Sequence, residues 1–468
     1  MSISIDHIAG RMAIISWALL CCSCATYNRQ ISNYYSQMVN TDYHKAYASI
    51  DNIRKLQTGR NRLLYLFEKG KMAHLMMQYD SSNRYFNEAD LFMEDARTSA
   101  KDIAVGTLLN PMMQTYKGED FEKYMVHYYK ALNYLYLGQE AAALVEARRI
   151  TLRSYSQQEK KYGYTEDAFS LMLQGIIYEQ TGDINNAFIA YRNATNLYLE
   201  NNDSYYGVPL PVQLKKDVIR TAVINGFSAE ADRYRKLFNI TSETESLSEG
   251  GELILFWENG LAPVKREQQF IFSLTKDGGG NFMFADALGN YHIPFQFAND
   301  TDRDNVKLEN FRSFRVAFPV YEEQPLYFHH GVATVNNSNH AFENAENINT
   351  LAFATLKERF LKDMAVTLGR LAVKKLAEEA VRPDKDDKNK NEKEAMAVAL
   401  QVFNFISEKA DTRNWQSLPH TIHYTRIPLR KGKNLIFLQL KAGQDEKKIE
   451  LNVQGTGRLQ LRNVCTLK

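Results

Sequence analysis

A spacing of small and aromatic residues that recurs through the first half of the chain constrains its fold more than any other feature. In the clearest copy, the small residues Gly175 and Ala187 are each followed a few positions later by a tyrosine, Tyr178 or Tyr191. Small residues let two antiparallel helices approach closely, and a large ring fills the space towards the next pair. The spacing therefore predicts a stack of helix pairs.

Three further copies of this spacing flank the clearest one. Gly70 and Ala131 lie in the two upstream copies, and Ala222 lies in the downstream copy. The pattern resembles a tetratricopeptide repeat at every signature position of the clearest copy except that of Gln174. Four such pairs can bury a continuous core, so residues 40–245 are predicted to form a helical solenoid. The residues expected to pack its helices are Gly70, Ala131, Ala143, Gly175, Tyr178, Ala187, Tyr191 and Ala194.

A stack of helix pairs has a concave face, and such faces are generally used to bind a protein or a peptide. Two other uses of the stack are open at this point. It could be a rigid spacer, or its concave face could pack against the C-terminal part of the same chain. We expect partner binding, because extended concave surfaces are what solenoids commonly provide.

Downstream of Gly250 the helical periodicity gives way to short β-rich runs separated by turns such as "KDGGGN". A long amphipathic helix is expected at about residues 351–380, between the β-rich runs. The expected fold class is α+β, in which a tetratricopeptide-like solenoid precedes a β-sandwich-like domain at residues 248–468. An inserted helical pair is expected at about residues 347–409 of that domain.

The N-terminus has the layout of a bacterial export signal. The apolar run that begins at Met12 is about half the ~20 residues that a bilayer-spanning helix needs, and small residues and cysteines follow it. We expect residues 1–23 to be a lipoprotein signal, Cys24 to be acylated, and residues 24–39 to be a polar tether. A metal site would need a second group of ligands, and a buried N-terminal helix is a weaker alternative.

An acyl anchor on Cys24 would attach the protein to a membrane permanently. The residues that follow Cys24 contain no acidic run of the kind that marks surface export in some lipoproteins. The expected location is therefore the outer membrane, with the body of the protein facing the periplasm.

A family resemblance covers nearly the whole chain. Its most specific segments are residues 59–90, "GGELILFWENGLAPVKREQQFIF" at 250–272, and "ADTRNWQSLPHTIHYTRIPLRKGKN" at 410–434. They look like an uncharacterised family of bacterial tetratricopeptide-repeat lipoproteins, whose genes often neighbour one for a lipoprotein resembling the curli secretion channel. The resemblance implies a part in an outer-membrane lipoprotein complex, with that channel-like lipoprotein as a potential partner, and supplies no catalytic residue.

Motifs for catalysis are missing from the sequence, which has no GxSxG, no HExxH and no phosphate-binding loop. No cofactor and no metal are expected, and a net charge of +2 argues against nucleic-acid binding. The most suggestive cluster is Asp411, Arg413 and Trp415, which share one face of an extended segment. Arg413 is expected to pair with Asp411 and to stack on Trp415, either as a recognition spot or, as we favour, as a clasp at a helix-to-strand junction.

The sequence thus favours a non-enzymatic outer-membrane lipoprotein that acts as a periplasmic scaffold or adaptor for protein partners in an envelope or secretion-related assembly. The alternative is a surface lipoprotein that binds nutrient glycans, which would need aromatic platforms on loops. An enzyme is disfavoured, because no acid, base and nucleophile come together in the motifs.

Overall fold

In a computed structural model, the protein is described for residues 27–96, 111–156, 167–241, 248–297, 303, 313–381, 393–394, 396–398 and 408–468. Residues 1–26, with the expected signal and Cys24, lie outside the described residues. So does most of the second helix of the expected insertion. None of the described helices is long and apolar enough to cross a membrane.

The described helices fill the N-terminal half of the chain, and one more lies between strands of the C-terminal half. They are α1 Tyr27–Val39, α2 Tyr43–Ser49, α3 Arg54–Gln57, α4 Arg62–Leu75, α5 Tyr79–Ala96, α6 Asp120–Tyr136, α7 Glu140–Ser156, α8 Ala168–Gln180, α9 Ile184–Glu200, α10 Val212–Ile224, α11 Ser228–Phe238 and α12 Ile348–Val381. Helices α4 to α11 form four consecutive pairs whose members pack on each other.

Helix α1 corrects the expected tether of residues 24–39. Ile31, Tyr34 and Met38 recur at helical spacing and are all buried, so from Tyr27 onward this segment is part of the core. Its polar residues, which suggested a tether, lie on the other positions of an amphipathic helix.

The four helix pairs share the same turn. Two positions after the first helix of each pair lies a residue with positive φ, which is Met77, Gly138, Gly182 or Gly226. The next backbone N–H donates to a carbonyl five residues earlier, in the pairs Gln78–Ala73, Gln139–Tyr134, Asp183–Tyr178 and Phe227–Ala222. This closure is a Schellman motif, in which glycine is preferred because it has no Cβ.

Two glycines of the stack lie directly against rings of the following helix. A Cβ at Gly175 would stand 2.6 Å from the ring of Tyr191, and a Cβ at Gly70 would stand 2.6 Å from the ring of Phe86. Contacts this short are not sustainable, so a larger residue at either site would push the two helices apart. The other expected packing residues, Ala131, Ala143, Tyr178, Ala187 and Ala194, are buried as well.

Met77 is the one non-glycine residue among the four turn positions, and it predicts a stabilising substitution. A left-handed backbone costs an L-residue about 1–2 kcal/mol, and Met77 is 75% exposed, so Met77→Gly should raise the free energy of unfolding by about 0.5–1 kcal/mol. Urea denaturation measures the change. The control is Met76→Gly, where φ is negative and glycine should be destabilising. Equal effects of the two substitutions would contradict the prediction.

The strands follow in the C-terminal half, after a short hairpin in the helical half. They are β1 Ser204–Tyr205, β2 Val208–Pro209, β3 Gly251–Asn259, β4 Val264–Lys276, β5 Phe282–Asp286, β6 His292–Pro294, β7 Phe314–Glu322, β8 His330–Val335, β9 Ser338–Ala341, β10 Glu343–Asn347, β11 Thr421–Pro428, β12 Gly432–Ala442, β13 Asp445–Gly455 and β14 Arg458–Thr466.

Two four-stranded sheets form a sandwich, with strand orders β10-β11-β3-β14 and β13-β12-β8-β9. Leu253 and Leu255 of the first sheet share a core with Val335 and Ile436 of the second. Strands β3 and β14 run parallel, whereas the other pairs in these sheets are antiparallel. A third sheet, β6-β5-β4-β7, lies beside them, and Phe360 of α12 packs on its Phe318. The α+β fold class predicted from the sequence is confirmed.

Candidate partner-binding cleft

The face of the stack formed by the first helix of each pair, α4, α6, α8 and α10, is covered by the chain's own strands. Three clusters of buried charged residues cross this contact, centred on Glu258, Glu179 and Glu119. The same contact includes Trp415, which stacks on Phe67 of α4 with ring centroids 4.5 Å apart. We call this contact the central interface.

Glu258 of β3 is fully buried at the middle of the central interface. Its carboxylate lies 2.5 Å from Nζ of Lys71 and accepts hydrogen bonds from the hydroxyl of Tyr129 at 2.8 Å and Nδ2 of Asn463 at 2.6 Å. Burial alone raises the pKa of Glu258, but the charge of Lys71 and the hydrogen bonds from Lys71 and Tyr129 outweigh it, so the pKa lies below its usual value. The group therefore stays ionised and joins α4, α6, β3 and β14.

A second cluster surrounds Glu179 at the end of α8. Arg426 of β11 donates to it at 2.8 Å, and so does Arg220 of α10. Arg426 also lies 2.5 Å from Glu252 of β3. Burial raises the pKa of Glu179, yet the two arginines lower it well below its usual value. Two helices and two strands are tied together here by charge-assisted hydrogen bonds.

The third cluster lies where α6 begins. Glu119 precedes the helix and binds Lys265 of β4 and, at 2.7 Å, Arg359 of α12. Burial opposes its ionisation, but the two cations lower the pKa of Glu119 to about 2. Its neighbour Glu122 accepts a hydrogen bond of 2.6 Å from the backbone N–H of Trp415. Burial and the charge of Glu119 raise the pKa of Glu122 to about 7.

The cluster expected at Asp411, Arg413 and Trp415 takes a different arrangement. Arg413 pairs with Asp411 at 2.6 Å, as expected, but its guanidinium lies 5.3 Å from the ring centroid of Tyr116 rather than on Trp415. Its Nη1 also donates to Asn61 of the helical half at 3.0 Å. Arg413 and Trp415 are buried and Asp411 is partly exposed, and together they clasp the two halves of the chain. The sequence predicts a clasp between neighbouring segments at a helix-to-strand junction, whereas the structure shows a contact with the distant helical half.

These contacts correct the expected use of the concave groove. The face of α4, α6, α8 and α10 is filled by the chain's own strands, which was the alternative that the sequence left open. Two signals in the sequence pointed to it: Glu258 ends the strongly apolar run "LILFW", and Arg426 lies within the apolar strand "TIHYTRIPL". A charge inside a buried strand needs a partner, and here the helices provide it.

A large cleft opens on the other side of the third cluster. It has a volume of about 670 Å³ and lies between α12, β7 and the segments around Pro111 and Ala410. Arg359, Val366, Gly369, Arg370 and Val373 of α12 contribute to its wall. We call these residues the cleft face of α12.

The cleft face of α12 combines exposed apolar side chains with an open backbone. Val366 and Val373 lie two helical turns apart and are 66% and 64% exposed. Between them, a Cβ at Gly369 would meet nothing within 4 Å. Among the residues that the structure describes, no group of three or more histidine, cysteine or acidic side chains could hold a metal ion.

The fold and these contacts define an α+β protein in which a tetratricopeptide-like helical stack is closed by its own β-sandwich. Comparison with models of known protein families and with curated proteins gave no match. Among solved structures, the chain is similar to "Crystal structure of MamA", with 13% sequence identity and a TM-score of 0.27, over 43% of this chain and 89% of that chain.

Proposed function

We propose that this protein is a non-enzymatic outer-membrane lipoprotein of the tetratricopeptide-repeat family that it resembles. Acylated Cys24 anchors it with its body in the periplasm, where it acts as a scaffold for a protein partner in an envelope or secretion-related assembly. A lipoprotein resembling the curli secretion channel is the partner that the resemblance favours. The export-signal layout and the helical repeats of the sequence support this proposal.

The observation that carries the scaffold role is the cleft face of α12. With the first-helix face of the stack occupied, the partner needs another surface, and this one presents Val366 and Val373 to solvent. Residues seven apart on a helix lie on the same side, as in the apolar seam that receives another helix. The partner segment that fits is an apolar helix, which Gly369 allows to approach the backbone of α12 closely.

The surroundings of the buried charges agree with a scaffold rather than an enzyme. Glu258, Glu179 and Glu119, whose pKa values are lowered, each bind cations that belong to other elements of the central interface. Ion-pair networks that hold a structure together perturb pKa values as catalytic sites do. These three groups are therefore used to join the two halves of the chain.

The test is capture of the partner from crosslinked envelopes by the acylated protein, followed by mass spectrometry. Gly369→Trp should reduce capture about tenfold, corresponding to ~1.4 kcal/mol, because the ring fills the approach to α12. Leu361→Trp is the control, since Leu361 lies on the same helix and is 60% exposed but does not line the cleft. Cys24→Ala should release the protein from the membrane.

Equal capture by the Gly369→Trp and Leu361→Trp proteins would show that the cleft is not the binding surface. Retention of the Cys24→Ala protein in the membrane would show that the anchor is wrong. Thermal unfolding of both tryptophan variants checks that the fold is intact. Gly369 lies in open space within a helix, so loss of the glycine should not destabilise α12.

A further inference from the structure

Two buried carboxyl groups meet where the helical stack contacts the end of β10. Asp167 immediately precedes α8 and accepts hydrogen bonds from the backbone N–H groups of Phe169 and Ser170, both at 3.2 Å. Glu346 of β10 accepts one from the backbone N–H of Asn347 at 2.8 Å. The two side chains line the same small void. Both residues are buried.

Two carboxylates are both acceptors and repel each other, so two carboxyl groups buried at one void are favoured when one of them holds a proton. Among the described residues, the titratable groups beside the pair are phenols: Tyr124 and Tyr128 of α6, Tyr198 of α9, and Tyr206 of the β1–β2 turn. No basic side chain is among the described residues that line the small void beside the pair. Within the described part of the chain, this lining therefore supplies no positive charge to offset two negative ones.

We propose that Asp167 and Glu346 form a proton-dependent latch between the helical stack and the β-sandwich. The latch is closed while the two carboxyl groups share one proton. When that proton leaves, two buried carboxylates repel each other at the start of α8, and the contact between α8 and β10 weakens. This regulation goes beyond the proposed scaffold role and does not depend on the identity of the partner.

The direction of the pH effect follows from the surroundings of the pair. Burial, and then the charge of Asp167, raise the pKa of Glu346 well above its usual value. In the unfolded chain the carboxyl group of Glu346 is ionised above about pH 4–5. Between that pH and the native pKa, the native state therefore holds one more proton than the unfolded state. The stability provided by the latch is therefore complete at acidic pH and is lost as the pH rises through the native pKa.

The experiment compares urea unfolding of the full chain and of its Glu346→Gln variant from about pH 6 to about pH 9. Glutamine has the shape of glutamic acid, and its amide N–H can donate a hydrogen bond at every pH. The folding equilibrium constant of the parent should therefore fall with rising pH by up to tenfold more per pH unit than that of the variant. Ser170→Ala is the control. It removes only the hydroxyl that donates to Asp167, so its pH dependence should match the parent's.

Two further measurements keep the proposal testable if Glu346→Gln fails to fold. Asp167→Asn should abolish the same pH dependence, since asparagine also caps a helix and can donate to Glu346. Carboxyl-carbon NMR of the parent should show one carboxyl group that still holds its proton near neutral pH. Equal pH slopes in parent and variants, or ordinary titration of both groups, would overturn the latch.

Discussion

Glu258→Gln should destabilise the protein by about 3–5 kcal/mol, because it removes one partner of a fully buried ion pair and leaves Lys71 without its counter-charge. Tyr129 and Asn463, which donate to the same carboxylate, would share an amide oxygen that accepts more weakly. Urea denaturation followed by circular dichroism measures the loss. The control is Glu322→Gln, whose partner Arg266 is exposed, so little change is expected there.

A double-mutant cycle separates the ion pair from the rest of the cluster. Lys71→Met alone should also be strongly destabilising, since it leaves the Glu258 carboxylate buried without its cation. If the two charges stabilise the fold mainly through each other, the double variant should lose less than the sum of the two single losses. Strict additivity, or a loss at Glu258 no larger than at Glu322, would contradict the role given to this pair.

The repeat register is the part of the fold that the sequence could specify. Its signals are local: a small residue at Gly175, a ring at Tyr191, and turn glycines at Gly182 and Gly226. Each of these residues packs or turns within one helix pair, so the sequence of a single repeat is enough to predict that pair. The sequence does not predict the turn at Met77, because methionine is not a typical turn residue, although its backbone has positive φ like that of the three glycines.

The central interface could not be derived in the same way, because its partners are far apart in the sequence. Lys71 and Glu258 are 187 positions apart, and Glu179 and Arg426 are 247 apart. The sequence alone does not distinguish a glutamate or arginine on the exposed side of a strand from one that forms a buried ion pair. The hydrophobic pattern of the sequence shows which strands are buried, but it does not show which helix supplies the partner of each buried charge.

Separation of the two halves should abolish stable folding of each, which reverses what the sequence alone suggests. The sequence predicts separate domains at residues 40–245 and 248–468, with partner binding on the helical one, and on that basis a helical fragment of residues 25–245 should fold alone and keep the partner. In the structure, however, Phe67 and Tyr129 of one half pack on Trp415 of the other. Truncation of one such buried ring typically costs about 3–5 kcal/mol, and separation removes all of these contacts together.

Each fragment should therefore show no cooperative thermal unfolding and should be degraded rapidly by trypsin. The two fragments expressed together should recover a cooperative transition, because the central interface reforms. The cleft is also shared, since Pro111 and Glu119 come from the helical half and α12 comes from the other. Partner capture should then need both fragments. A helical fragment that unfolds cooperatively and captures the partner by itself would show that the central interface is dispensable, and that the partner binds the stack instead of the cleft.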